Sequence, residues 1–296
     1  MNAVRLIPLF TMVLFASGNA QAAFNVSLNI NQADPLAPKT WNEDITNLVA
    51  LSADGSFNLK TNVTSGGNTY FQNGIFSSTA PSTSVHPDYW TWTPDTTVNG
   101  GHWNWHSLDT VTPTTSAPWM TEVNLNNTLG HKTQDINYDY SAQNNTAQTQ
   151  TYTFSVVEDL NPAVSNPSSV FNQFKANFAS NSGSFLFNPT NPTGAQQFLL
   201  SADGINWVDA GIDVGGIYST AIPNALESRT GAGPAGGPWK MMKLQTSFTL
   251  GSMNAAALNG LATITPIPEP DSYAMFVAGL GLLGFVANRR SKRKAQ

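Results

Sequence analysis

The end of this chain decides where it can fold. Pro268-Glu269-Pro270 is followed by an apolar stretch, residues 273–287, and then by Arg289-Arg290-Ser291-Lys292-Arg293-Lys294. At about 1.5 Å of helical rise per residue the stretch spans only ~22 Å, short of a ~30 Å hydrocarbon core. Such a helix enters a bilayer where the lipid thins or flanking side chains snorkel, which suits a temporary transmembrane anchor. The basic tail, residues 288–296, stays cytoplasmic by the positive-inside rule, leaving Pro268-Glu269-Pro270 on the outer face of the inner membrane. The folding unit is therefore the chain before residue 266, outside the cytoplasm.

The amino terminus predicts the same route. Arg5 supplies a positive n-region, Leu6 to Phe15 an apolar h-region too short to span a membrane, and Ala20-Gln21-Ala22 an A-x-A cleavage site before Ala23. Residues 1–22 read as a signal peptide helix handled by the Sec translocon and signal peptidase. Ala23 becomes the first residue of the mature chain.

At its C-terminus the chain resembles the PEP-CTERM family of bacterial proteins. Pro268-Glu269-Pro270-Asp271-Ser272-Tyr273-Ala274-Met275 matches the motif, and Ala278-Gly279-Leu280-Gly281-Leu282-Leu283-Gly284-Phe285 matches the span before Arg289-Arg290. The resemblance covers about a tenth of the chain. It implies recognition by an exosortase, a membrane-embedded cysteine transpeptidase-like enzyme of Gram-negative bacteria that make exopolysaccharide. It describes delivery and leaves the role of the delivered domain open.

Residues 23–265 contain seven basic and sixteen acidic residues, a formal charge of −9. Nucleic acid is excluded as a partner, because phosphate binding needs clustered Lys and Arg. Cysteine is absent. An exported domain without disulfides relies on a large hydrophobic core, and thiol nucleophiles and Cys-ligated metals are ruled out. Charged residues make up only 10% of the chain while Asn, Thr, Ser and Gly abound, which favours strands and turns over wet-faced helices.

Residues 24–30 and 150–156 alternate apolar and polar, the period of half-buried strands. Asp54-Gly55 and Asp203-Gly204 are hairpin signals. Their shared context, Leu-Ser-Ala-Asp-Gly, is read as convergence on a favoured turn rather than as a duplication. Asn166-Pro167-Ser168-Ser169 predicts the cap of a helix running through Val170, Phe171 and Phe174 to Phe178, and a helical turn is expected near Ala255 to Leu258. Residues 231–238 hold too many Gly and Pro for regular structure. The fold class is all-β: a β-sandwich ectodomain of jelly-roll or Ig-like kind over 23–265, with a candidate subdivision near 162–167.

The densest aromatic feature is Tyr89-Trp90-Thr91-Trp92 followed by His102-Trp103-Asn104-Trp105-His106. On a hairpin, Trp90, Trp92, Trp103 and Trp105 share one face. Packing is the first reading, since Trp is highly buried on average. The other is a candidate glycan-binding platform that stacks sugar rings. His102 and His106 lie ~13 Å apart along a strand, too far to hold one metal ion. Asp203, Asp209 and Asp213 lack the dense spacing of a calcium loop.

No G-x-S-x-G, H-E-x-x-H or phosphate-cradling motif occurs, and no cofactor, metal or catalytic residue is assigned. Glu43, Glu122, Glu158 and Glu227 are the only glutamates available for a glycosidase pair. The functional expectation is a non-enzymatic structural or adhesive protein of the cell surface or exopolysaccharide matrix. Its processing signal is Pro268, Glu269, Pro270, Arg289 and Arg290. The alternative is a carbohydrate-binding module using the four indoles, and the third a secreted glycan-active enzyme.

Overall fold

The computed structural model describes residues 24–268, apart from 33–38, 54, 61–67, 73, 81–87, 96–99, 108–120, 127, 132–133, 181–184 and 220–223, together with 275 and 277–283. The signal-peptide residues, including Ala20, Ala22 and Ala23, lie outside this set, as do Glu269, Pro270, Arg289 and Arg290.

Antiparallel strands dominate. In chain order they begin with β1 (Phe24–Gln32), β2 (Lys39–Asp44), β3 (Val49–Leu51), β4 (Ser56–Leu59), β5 (Thr69–Gln72) and β6 (Ile75–Ser77). There follow β7 (Tyr89–Asp95), β8 (Gly100–Ser107), β9 (Thr121–Asn126), β10 (Thr128–His131), β11 (Asp135–Asn144), β12 (Gln150–Val164) and β13 (Ser168–Ser180). The series ends with β14 (Leu186–Pro189), β15 (Gln196–Ser201), β16 (Trp207–Asp209), β17 (Tyr218–Ser219), β18 (Asn224–Ala232), β19 (Trp239–Leu250) and β20 (Asn254–Pro266).

These form two sheets. The smaller runs β16-β15-β19-β12-β1-β2, with β14 and β17 attached through β19. The larger runs β18-β13-β20-β11-β9-β8-β7-β5-β6, with β10, β4 and β3 branching from β11. Alternation drives this: Val26, Leu28 and Ile30 of β1 and Tyr152, Phe154 and Val156 of β12 all turn inward and are buried. The two inner faces meet in one apolar core. Tyr140 of β11 stacks on Phe154 of β12 at 5.1 Å, and Phe187 of β14 stacks on Phe248 of β19 at 4.6 Å.

Both hairpin signals hold. Gly55 lies in the turn joining β3 to β4, and Asp203-Gly204 turns β15 into β16. Asp203 Oδ1 accepts from the backbone N–H of Ile205 and Asn206 at 2.8 and 2.7 Å. The two Leu-Ser-Ala-Asp-Gly turns therefore serve hairpins in different sheets. Residues 233–238 connect β18 to β19 without regular structure, while Gly231 and Ala232 belong to β18.

Two expected helical segments are strands. Residues 168–180 pair with β18 on one side and β20 on the other, and residues 255–258 lie inside β20. The alternation of β13 was hidden because Asn172 points inward. The Ala run of β20 favours helix locally, but pairing along both edges overrides propensity. Residues 162–167 end β12 and cross into β13; in each sheet the strands before that segment lie on one side and those after it on the other, and the two groups join through the β12–β19 and β11–β20 pairs.

One polar network bridges the sheets. The Tyr138 hydroxyl of β11 donates to Gln196 Oε1 of β15 at 2.6 Å and also bonds the Thr246 hydroxyl of β19. Gln196 Nε2 donates to Asn172 Oδ1 at 2.5 Å, and Asn172 Nδ2 donates to the Ile212 carbonyl at 3.0 Å. Gly260 makes room for this arrangement, since a β-carbon there would overlap the Tyr138 ring and the Gln196 carboxamide. Tyr138→Phe should cost about 1–3 kcal/mol by leaving buried acceptors unmet. The urea midpoint of the purified ectodomain measures this, and an unchanged midpoint would show that the link is dispensable.

Candidate functional site

The tryptophan hairpin forms as the spacing predicts. β7 and β8 pair with Trp90 opposite Trp105 and Trp92 opposite Trp103. All four side chains face the core. Trp90 and Trp92 are 1% exposed, Trp103 and Trp105 0%. Trp92 and Trp103 lie 5.6 Å apart, and Trp41 of β2 meets Trp105 edge-on at 6.0 Å across the gap between sheets. Trp103 Nε1 donates to the Lys60 carbonyl at 3.0 Å. No indole face is open to a sugar, so the platform expectation is corrected. They pack in the core beside Phe71 and Phe76 of β5 and β6.

The residues between the tryptophans face out. Tyr89, Thr91 and Thr93 alternate with Trp90 and Trp92, and His102, Asn104 and His106 alternate with Trp103 and Trp105. Tyr89 contacts the His106 ring at 5.5 Å and Tyr70 at 5.8 Å. Burial holds the His106 imidazole down to about 4. His86 lies outside the described residues, and among those described no three His, Asp or Glu side chains are arranged to hold a metal.

Register extends this outer surface across the larger sheet. Asn177, Ala257, Ser141, Asn124, Asn104, Thr91 and Tyr70 are cross-strand neighbours in one row over β13, β20, β11, β9, β8, β7 and β5. Asn124 Nδ2 donates to Asn104 Oδ1 at 2.9 Å, and Asn104 Nδ2 to the Thr93 hydroxyl at 3.0 Å. The small side chains Ser141, Ala255 and Ala257 leave a trough of about 340 Å³ walled by Asn104, Asn124, Gln143 and Asn177. A second hollow of about 210 Å³ continues it past Ala257 to Asp139, Lys175 and Asn259. The amides that line it both donate and accept hydrogen bonds, and its charges sit at one end. The sequence marks this surface only weakly, through the polar residues that alternate with the indoles, because its other members come from strands distant in sequence.

The acids are dispersed. Glu43 of β2 is pushed up to about 7 by burial and by the charge of Asp88. Glu227 accepts from Gly215 N–H at 3.0 Å and from the Tyr218 hydroxyl, and these bonds hold it below its usual value although burial opposes them. Glu158 lies on the core face of β12. Asp209 Oδ1 accepts from Gly211 N–H at 2.7 Å and Asp213 from the Thr193 hydroxyl, so each serves its own turn.

At the C-terminus β20 runs to Pro266, paired with Ser168, and Ile267 N–H donates to the Pro167 carbonyl at 2.8 Å. Pro268 is exposed. Beyond it Met275 and residues 277–283 are helical and exposed, and no helix of the described residues is long and apolar enough to cross a membrane. Residues 266–291 match the family model of the PEP-CTERM protein-sorting motif. The chain carries a PEP-CTERM sorting signal. It is thereby an exported protein addressed to an exosortase and targeted to the cell surface or beyond. No curated protein matches the chain. The PEP-CTERM match begins on the last residue of β20, so the signal follows the folded sheet with no spacer.

Packing of the hairpin sets a measurable cost. Trp103→Ala should destabilise the ectodomain by about 3–5 kcal/mol. Wild-type tryptophan emission should be blue-shifted and shielded from an aqueous quencher. Denaturation midpoints and quenching together check this. A mild cost with quenchable emission would return the indoles to the surface.

Proposed function

We propose that this is a non-enzymatic structural or adhesive protein, exported, trimmed by an exosortase and left at the cell surface or in its polysaccharide matrix. The supporting observation is where the sorting signal joins the fold. It continues directly from β20, which is hydrogen-bonded to β13 and β11 on both sides. A load applied at the C-terminus passes along a central strand and is resisted in shear by the bonds of two ladders. A retained or tethered protein benefits from that placement. The two facing sheets are read as a β-sandwich, and residues 273–287 as the transient inner-membrane anchor.

Processing tests this reading. Mature protein should begin at Ala23 and lack everything downstream of the Pro268-Glu269-Pro270 region, as intact mass would show. Glu269→Gln should leave insertion intact and cause membrane-bound precursor to accumulate. Replacing Arg289, Arg290, Lys292, Arg293 and Lys294 by Gln should let uncleaved protein leak outward. Normal processing of both variants would reduce the tail to a generic anchor.

A second reading, glycan binding, is favoured by the amide-lined trough rather than by the indoles. Its paired donors and acceptors suit the hydroxyls of a neutral polysaccharide. Ala257→Trp would fill the trough from an exposed position. It should abolish retention of the ectodomain on the host's own polysaccharide while leaving the denaturation midpoint nearly unchanged. Undiminished retention would reject the trough as the binding surface.

A further inference from the structure

β18 closes one side of the larger sheet. Among the described residues it pairs only with β13, so its other side offers a row of backbone N–H and C=O groups to a further strand. The other strands at sheet ends are shorter. β6 and β16 have three residues each, and β2 has six, of which Lys39, Glu43 and Asp44 are charged. Short or charged edges resist added strands. β18 has nine residues, no proline and no lysine, and one charge of each sign, Glu227 and Arg229. Two large apolar side chains stand beside it in solvent. Leu226, on the outer face in register with Lys175, is 68% exposed. Ile217 is equally exposed, and it follows Gly216, which lies against the Glu227 carboxylate.

The order of residues along β18 selects its own copy as the strand that fits. When two such strands pair antiparallel about a two-fold axis normal to the sheet, opposed residues point to the same face, so the axis passes through a residue. Centred on Glu227, it would set two carboxylates against each other. Centred on Arg229, it would oppose two guanidinium groups. Like charges directly opposite are destabilising. Centred on Ser228, it sets Glu227 opposite Arg229 of the second copy and Leu226 opposite Thr230, and it engages all nine residues. Charges then alternate in sign around the axis. Glu227 is held in place by the Gly215 N–H at 3.0 Å and by the Tyr218 hydroxyl.

We propose that β18 is the seam of a symmetric dimer, in which two copies of this chain join their larger sheets edge to edge with Ser228 on the two-fold axis. Leu226 and Ile217 flank the seam, so joining the edges takes apolar surface out of water. An isologous contact uses each edge once and closes at two chains, which removes the template that a free edge would offer to further strands. The joined sheets carry both outer troughs on one continuous face, while the contact itself rests on the β18 edge alone.

Sedimentation of the exported, processed protein over a range of concentrations tests this. It should show a dimer that dissociates on dilution. Arg229→Glu, which gathers only acids around the axis, should weaken association by roughly tenfold or more, while the diluted variant keeps a cooperative urea transition. Arg229→Lys should keep the dimer. A monomer at every concentration, or a dimer that Arg229→Glu leaves intact, overturns the proposal. Register is read by Ser228→Cys. The chain has no cysteine of its own, so mild oxidation or a short bifunctional thiol reagent should give one covalent dimer. Leu226→Cys should not, because its two sulfurs would lie about 13 Å apart along the strands. Equal crosslinking at both positions, or none for Ser228→Cys in protein that still sediments as a dimer, overturns the two-fold seam. Ala257→Trp should leave dimerisation unchanged, so loss of glycan retention and loss of the dimer are scored separately.

Discussion

The buried link from Tyr138 through Gln196 to Asn172 is the constraint on which the two-sheet arrangement depends. With no cysteine in the chain, nothing covalent fixes one sheet over the other. Apolar contact alone tolerates sliding, because it is non-directional. The Tyr138 hydroxyl bonds Gln196 and Thr246 across the gap, and Asn172 bonds Gln196 from the facing sheet, so register in depth and along the strands is set together. Gly260 shows how firmly the fold commits to this, since any larger residue would occupy the space of the Tyr138 ring. A fully satisfied buried network specifies one arrangement, whereas a half-satisfied one would be worse than apolar packing.

That network also explains what could and could not be read from the residues. Segments with plain alternation, 24–30 and 150–156, were legible because their inward positions are all apolar. β13 was not, because its inward Asn172 breaks the pattern and leaves Val170, Phe171, Phe174 and Phe178 at helix-like spacing. β20 was obscured by Ala255, Ala256 and Ala257: the first and third floor the outer trough, and Ala256 faces the core. Inward polar and outward small residues both follow from partners distant in sequence, which local propensity does not contain. The sorting signal was legible for the opposite reason: its parts are contiguous.

The hairpin shows the same division at a finer scale. Its pairing and the common face of the four indoles follow from period two alone. Which face meets the core does not, because Trp serves interiors and ligand platforms equally well. The decision comes from Trp41 on β2, more than forty residues earlier, which closes over Trp105. Once the indoles turn inward, the intervening Tyr89, Thr91, Asn104 and His106 are obliged to point to the outer face of the sheet. The polar row is thus a consequence of core packing rather than a separate motif.

The position of β20 bears on the order of events during export. It is the last strand of the described residues, yet it lies inside the larger sheet between β13 and β11. Until residues 254–266 have emerged, the facing edges of those two strands are unpaired, and exposed edges invite association with other chains. Pairing of β20 with β11 joins residues more than a hundred positions apart, which is slow by nature. The sorting signal follows β20 with no spacer, so it is the next part of the chain to emerge. If exosortase cut before β20 had paired, the released chain would carry its unfinished edge into the surroundings. The absence of a spacer puts the signal directly beside the last hydrogen-bonded residues of the sheet. The signal is thus joined to the strand whose pairing closes the larger sheet.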